Sequence, residues 1–91
     1  MSQFSDKDVI LSILEYDCQV KHFDNKLNIA FGIDKNFLFG CGVAITSILL
    51  ENKSLSFEFH VFTDYFSEDD KIRFSELAAQ YKTSIKIYLI N

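Results

Sequence analysis

Leu27-Asn28-Ile29-Ala30-Phe31-Gly32-Ile33-Asp34-Lys35-Asn36-Phe37 is an apolar run that stops abruptly at a carboxylate, an amide and an aromatic ring. Leu27 to Phe31 has the length and the β-branched and aromatic content of a short buried strand. Gly32 permits either a close backbone approach or an unusual dihedral where that strand ends. A turn should follow. In open α/β sheets ligands sit in the crevice beyond the carboxyl ends of the strands, so Asp34, Asn36 and Phe37 fall where a ligand is usually held. A carboxylate can accept the imide N–H of a uracil, an amide can reach ribose hydroxyls, and an aromatic ring can cover a base. The plainer reading is that Asp34 or Asn36 caps the next helix, because both are preferred N-cap residues.

Two more strand-like runs follow, Phe57-Glu58-Phe59-His60-Val61-Phe62-Thr63 and Ser84-Ile85-Lys86-Ile87-Tyr88-Leu89-Ile90, each preceded by a helix-like segment. The pattern is βαβαβ, an α/β arrangement with three parallel strands and right-handed crossovers. The second helix is well marked at its start. Ser67 stands before Glu68, Asp69 and Asp70, an N-cap serine followed by acids in the first turn where the helix dipole favours them. Phe74, Leu77, Ala78 and Tyr81 then share one face, with Lys71, Glu76, Gln80 and Lys82 left for solvent. Asp69-Asp70 accordingly reads as a solvated helix start rather than a catalytic pair.

The first helix is unusual. No charge occurs from Asn36 through Leu50, and Phe37, Leu38, Phe39, Val43, Ile45, Ile48, Leu49 and Leu50 cannot share one face. Spanning a bilayer takes roughly 20 apolar residues, more than this run offers before Glu51, Asn52 and Lys53. A helix enclosed by protein on several sides is the expectation, with Gly40 and Gly42 allowing close approach to its neighbours. A chain of 91 residues, ten of them phenylalanine, has little protein with which to enclose it. Its last strand also lacks anything after Asn91 to cover it, so the chain reads as the first part of something larger. Residues 1–26 read as a leader: Ser5 and Asp8 bracket a capping box, and Val9, Ile10, Ile13 and Leu14 fall on one side of a short amphipathic helix. Acidic Asp6 and Asp8 rule against a secretory signal.

The net charge of −4 and pI near 4.9 exclude a nucleic-acid scaffold, which needs clustered Lys and Arg. Lys7, Lys21, Lys26 and Lys53 are too sparse for an anionic-lipid patch. Cys18 and Cys41 read as reduced thiols. His22 and His60 have no neighbours at metal-ligand spacing. Gly40-Cys41-Gly42 fails as a dinucleotide fingerprint, since Ile45 stands where the third small residue belongs and the glycines lie inside the helix.

From Leu27 to Asn91, through "NIAFGIDKNFLFGCGVAITSILL", "FHVFTDYFSEDD" and "IKIYLIN", the chain resembles the start of glycosyltransferase family eight. It is most similar to the bacterial lipopolysaccharide core hexosyltransferases. The resemblance implies the N-terminal βαβαβ nucleotide-binding part of a GT-A, Rossmann-like fold. It implies a UDP-hexose donor, Mn or Mg, transfer with retention, and a lipopolysaccharide core acceptor met at the cytoplasmic face of the inner membrane by peripheral association. Carried over by residue, Gly32 and Ile33 offer backbone contacts, Asp34 binds the uracil edge, Asn36 the ribose, and Phe37 packs on the base. Many relatives have tyrosine at this last position, so a phenol hydrogen bond is missing. In the family the Asp-x-Asp metal motif lies further along than residue 91, so no metal ligand or catalytic residue is assigned and the chain alone is expected to be inactive. The alternative function is a stand-alone, non-catalytic nucleotide-binding or protein-interaction module.

Overall fold

The structure, a computed structural model, describes residues 10–18 and 26–90. Its strands are β1 (Ile10–Asp17), β2 (Leu27–Ile33), β3 (Phe57–Thr63) and β4 (Ser84–Ile90). Its helices are α1 (Leu38–Glu51), entered through a 3-10 turn at Lys35–Phe37, and α2 (Glu68–Tyr81). The sheet runs β1-β4-β3-β2. β2, β3 and β4 pair in parallel through helical crossovers, the α/β architecture expected of the nucleotide-binding part of a GT-A fold.

Alternation along the parallel strands sets the layers. Phe57, Phe59, Val61 and Thr63 of β3 are buried, as are Ile85 and Ile87 of β4, and they meet Leu38, Cys41 and Ile45 of α1 and Phe74 and Ala78 of α2 in one core. Both helices therefore lie on one face of the sheet. Phe59 packs its ring between Phe57 and Phe31, with centroids 5.6 and 6.5 Å away. Each such fully buried side chain contributes about 1.5–3 kcal/mol relative to exposure. The residues between them, including Glu58, His60, Phe62, Lys86 and Tyr88, stand on the opposite face and are only half-buried.

α2 starts as its sequence foretells and adds a reciprocal cap. Ser67 Oγ accepts from the Asp70 N–H at 3.2 Å, and Asp70 Oδ2 accepts from the Ser67 N–H at 2.9 Å. Asp70 is not solvated as expected: it is buried and also takes a 2.7 Å ion pair from Arg73. The helix ends at Lys82, whose N–H bonds the Ala78 carbonyl and whose left-handed φ of 53° turns the following Thr83 N–H onto the same carbonyl at 3.0 Å.

Three expectations are corrected. Ile10–Asp17 is not a leader helix but an extended strand, antiparallel to β4, so the sheet has four strands rather than three. Leu14, Tyr16 and Cys18, at period two, pack on the core, and pairing with β1 satisfies one edge of β4. The capping pair Ser5 and Asp8, and Val9, lie outside the described residues. Second, α1 is not enclosed by the described residues. Only Leu38, Cys41 and Ile45 are buried, and Phe39 is 71% exposed, because a two-helix layer covers each helix on the sheet side and one flank. Third, a Cβ at Gly40 or Gly42 would meet nothing within 4 Å, so neither glycine serves a close approach among the described residues.

Candidate functional site

The 3-10 turn carries the candidate residues from the carboxyl end of β2 to the start of α1. Asp34 is extended, with φ −106° and ψ −179°, and its Oδ1 accepts the Asn36 N–H at 2.9 Å. The Phe37 N–H reaches the Asp34 carbonyl at 3.1 Å. Capping is thus real, and it falls to Asp34. It engages Oδ1 alone, leaving Oδ2 as a further acceptor at an exposed position. The turn is tied to the loop after β3 by the Lys35 ammonium, 5.7 Å from the centre of the Tyr65 ring.

Two depressions flank this turn. The first, about 600 Å³, is lined by Gly32, Ile33, Asp34 and Phe37 together with Phe62 and Ile90. The second, about 310 Å³ and more polar, holds Asn36 with Lys35, Tyr65, Asp70 and Arg73. Four of the five sequence candidates are therefore brought together, and Asn36 lies on the other side of the turn. Phe37 is 62% exposed, so its ring is available to a ligand. Phe62 and Ile90 escaped sequence reasoning. Only the register brings them there: Gly32 pairs with Phe62, and Phe62 with Tyr88, so the strand ends deliver these residues to one place.

Gly32 bears on what the first depression is for. Its φ is not positive, the β2–β3 register runs without a bulge, and a Cβ there would meet nothing within 4 Å. Neither backbone conformation nor packing among the described residues calls for glycine. The space a side chain would take there is open on the side of the first depression, which Gly32 lines.

The sheet face below is a polar lattice. Glu58 meets Lys26 at 3.5 Å, Lys86 at 3.4 Å and His60 Nε2 at 3.3 Å. His60 also bonds the Tyr88 hydroxyl through Nδ1 at 2.8 Å and Asn28 Oδ1 through Nε2 at 2.9 Å. The Glu58 carboxylate raises the pKa of Lys86. His60 is thus a structural link among three strands, as its place in an alternating strand suggests, and His22 lies outside the described residues.

Among the described residues no group of three or more His, Cys, Asp or Glu could hold a metal ion. They do not fit the divalent cation that the resemblance implies. The Asp-x-Asp spacing does occur at Asp6-Lys7-Asp8, ahead of β1 and outside the described residues. Cys18 and Cys41 are free, and burial pushes the Cys41 thiol up to about 11, so it stays protonated at neutral pH. No described helix is long and apolar enough to cross a membrane.

The family model for glycosyl transferase family 8 matches residues 28–91. The chain is similar to lipopolysaccharide glucosyltransferase WaaO of Escherichia coli K12, at 52% identity over 97% of this chain and 26% of that protein. It is similar to lipopolysaccharide 1,3-galactosyltransferase of Salmonella typhimurium, at 51% identity over 98% of this chain and 26% of that protein. A lipopolysaccharide 1,2-glucosyltransferase of Escherichia coli is 37% identical over 100% of this chain and 26% of its own length. The chain thus spans about a quarter of the length of the curated relatives it matches. No solved structure matches it significantly.

Proposed function

Because this chain belongs to glycosyl transferase family 8, we propose that it supplies the uridine-binding part of an enzyme that moves a hexose from UDP-hexose to a lipopolysaccharide core oligosaccharide. The observation that carries this reading is the meeting of Gly32, Ile33, Asp34 and Phe37 in one depression at the carboxyl end of a parallel strand. Asp34 accepts the uracil imide N–H through Oδ2 while Oδ1 holds the turn. Phe37 covers the base, and the backbone of Gly32 and Ile33 contacts its edge. Asn36, across the turn, reaches the ribose hydroxyls. The relatives' names support glucose or galactose as the transferred sugar and lipopolysaccharide as the acceptor. A UDP-sugar donor suits work at the cytoplasmic face of the inner membrane by peripheral association.

Transfer with retention and a dependence on Mn or Mg belong to the same proposal. A divalent cation, when bound, would supply positive charge to offset that on the departing nucleotide. The described residues bring no three His, Cys, Asp or Glu together to hold it, and the part proposed for them is to bind and orient the nucleoside. The 91-residue chain by itself binds UDP without transferring sugar. One charge-assisted hydrogen bond contributes about 1.5–3 kcal/mol and one stacked base about 1–3 kcal/mol. Association costs offset much of this, giving a dissociation constant near the millimolar range.

Saturation-transfer NMR with UDP tests the reading. Transfer to the uracil protons that disappears in Asp34→Ala and survives in Gln80→Ala, a change on the exposed face of α2, is the expected result. Equal transfer in the parent chain and in Asp34→Ala would overturn it.

A further inference from the structure

The face of the sheet that the helices leave open carries a short aromatic stack. The Phe62 and Tyr88 rings lie 4.3 Å apart between centroids and within 9° of parallel, on neighbouring strands. Tyr88 is held in turn, its hydroxyl bonded to His60 Nδ1 at 2.8 Å and its ring stacked against the His60 imidazole at 5.7 Å. Asn28 and Glu58 fix the other side of that imidazole. Phe62 is therefore backed on one side by a ring whose position is determined from three strands.

On its other side the same cross-strand row ends at Gly32. Neighbouring strands lie about 4.8 Å apart, so successive side chains in such a row stand at about the centroid separation of offset-stacked rings. Tyr88 uses that spacing against Phe62. Among the described residues the equivalent place on the opposite side, at Gly32, is unfilled, and a Cβ there would meet nothing within 4 Å. Phe62 lines the depression that also holds Asp34 and Phe37.

We propose that the vacancy at Gly32 is a slot for the nucleobase, and that Phe62 is the ring on which the base stacks, continuing the Tyr88–Phe62 pile by one planar member. This rests on the uridine-binding reading and extends it to a residue outside the turn. A planar ring with an N–H beside a carbonyl suits the slot, because its faces meet aromatic carbon and its edge lies toward the Asp34 carboxylate. Phe37, on the rim, is available to the ring's outer face. His60 is a positioning residue, acting through Tyr88.

The test follows the uracil H5 and H6 resonances during UDP titrations of the parent chain and of Phe62→Leu, Gly32→Val and Asp34→Ala, with amide dispersion reporting the fold. Stacking on Phe62 predicts upfield ring-current shifts of H5 and H6 on binding. Phe62→Leu should lose most of that shift and bind about 5- to 100-fold more weakly. Gly32→Val, which fills empty space and leaves the fold intact, should abolish binding even if Phe62→Leu fails to fold. Parent-like affinity and H5/H6 shifts in either folded variant, with binding still lost in Asp34→Ala, would overturn the stacking role and leave the uridine reading standing. Absence of binding to the parent chain would overturn both.

Discussion

Asp34 is asked to do two things with two oxygens, and they can be separated. Asn at this position can still offer Oδ1 to the Asn36 N–H but cannot offer a charged second acceptor. Asp34→Asn should leave the unfolding midpoint in urea within error and weaken UDP binding tenfold or so, whereas Asp34→Ala should also cost about 0.5–2 kcal/mol of stability. Asp70 poses a different question. Burial pushes its carboxyl up, but hydrogen bonds from the Ser67 N–H and Oγ and the ion pair with Arg73 outweigh this and hold it below the ordinary carboxylate value. A carboxyl depressed in the folded chain stabilises it fully above its unfolded pKa, and the contribution is lost as pH falls through the folded value. Stability measured by urea unfolding should therefore drop on the acid side of about pH 4, and Asp70→Ala should be less stable at pH 7 with a shallower acid limb. Much of the residue scale was readable in advance: Ser67 before three acids declared its cap, and Asp34 before Asn36 declared a turn. That Asp70 would be buried was not, since only the folded chain shows Arg73 folding back over it.

At the scale of elements, the contrast between the two helices follows from what covers them. α2 has its apolar residues on one stripe, so its sequence names its buried face. α1 is apolar around its circumference, and its sequence cannot say which side the sheet takes. The structure chooses Leu38, Cys41 and Ile45, leaving Phe39, Val43 and Leu50 outside. Ile45→Ala should cost about 2–5 kcal/mol, while Phe39→Ser should change stability by less than about 0.5 kcal/mol and lower the binding of a hydrophobic dye. Cys41, on the buried side with its thiol pushed up to about 11, should resist alkylation at pH 7.5 until denaturant unfolds the chain. β1 was hidden for another reason. Ile10, Ile13 and Leu14 match a helical spacing while Leu14 and Tyr16 match an alternating one, and both templates fit a stretch this short. What decided between them is distant in sequence, the open edge of β4 with seven residues ready to pair.

For the whole molecule, the arrangement is two-sided: a helix layer and core on one face of the sheet, and on the other a lattice of Glu58, His60, Lys26 and Lys86 that grades into the aromatic pair Phe62 and Tyr88. The parallel order of β2, β3 and β4 brings their carboxyl ends to one rim, where the depression at Gly32, Asp34 and Phe37 lies. Sequence periodicity was enough to place those strands, and hence four of the five candidate residues. It could not place Asn36 across the turn or bring Phe62 to Gly32, since both depend on the exact path of the 3-10 turn and on inter-strand register. Binding and turnover should part company in this chain: incubation with UDP-glucose or UDP-galactose, Mn and a lipopolysaccharide core acceptor should give no transfer, although UDP binds. The most direct trial of the central claim is a two-dimensional amide NMR spectrum of the chain with and without millimolar UDP. Dispersed peaks whose shifts concentrate at Gly32 through Phe37 and at Phe62 are the predicted result; a dispersed spectrum indifferent to UDP would contradict it.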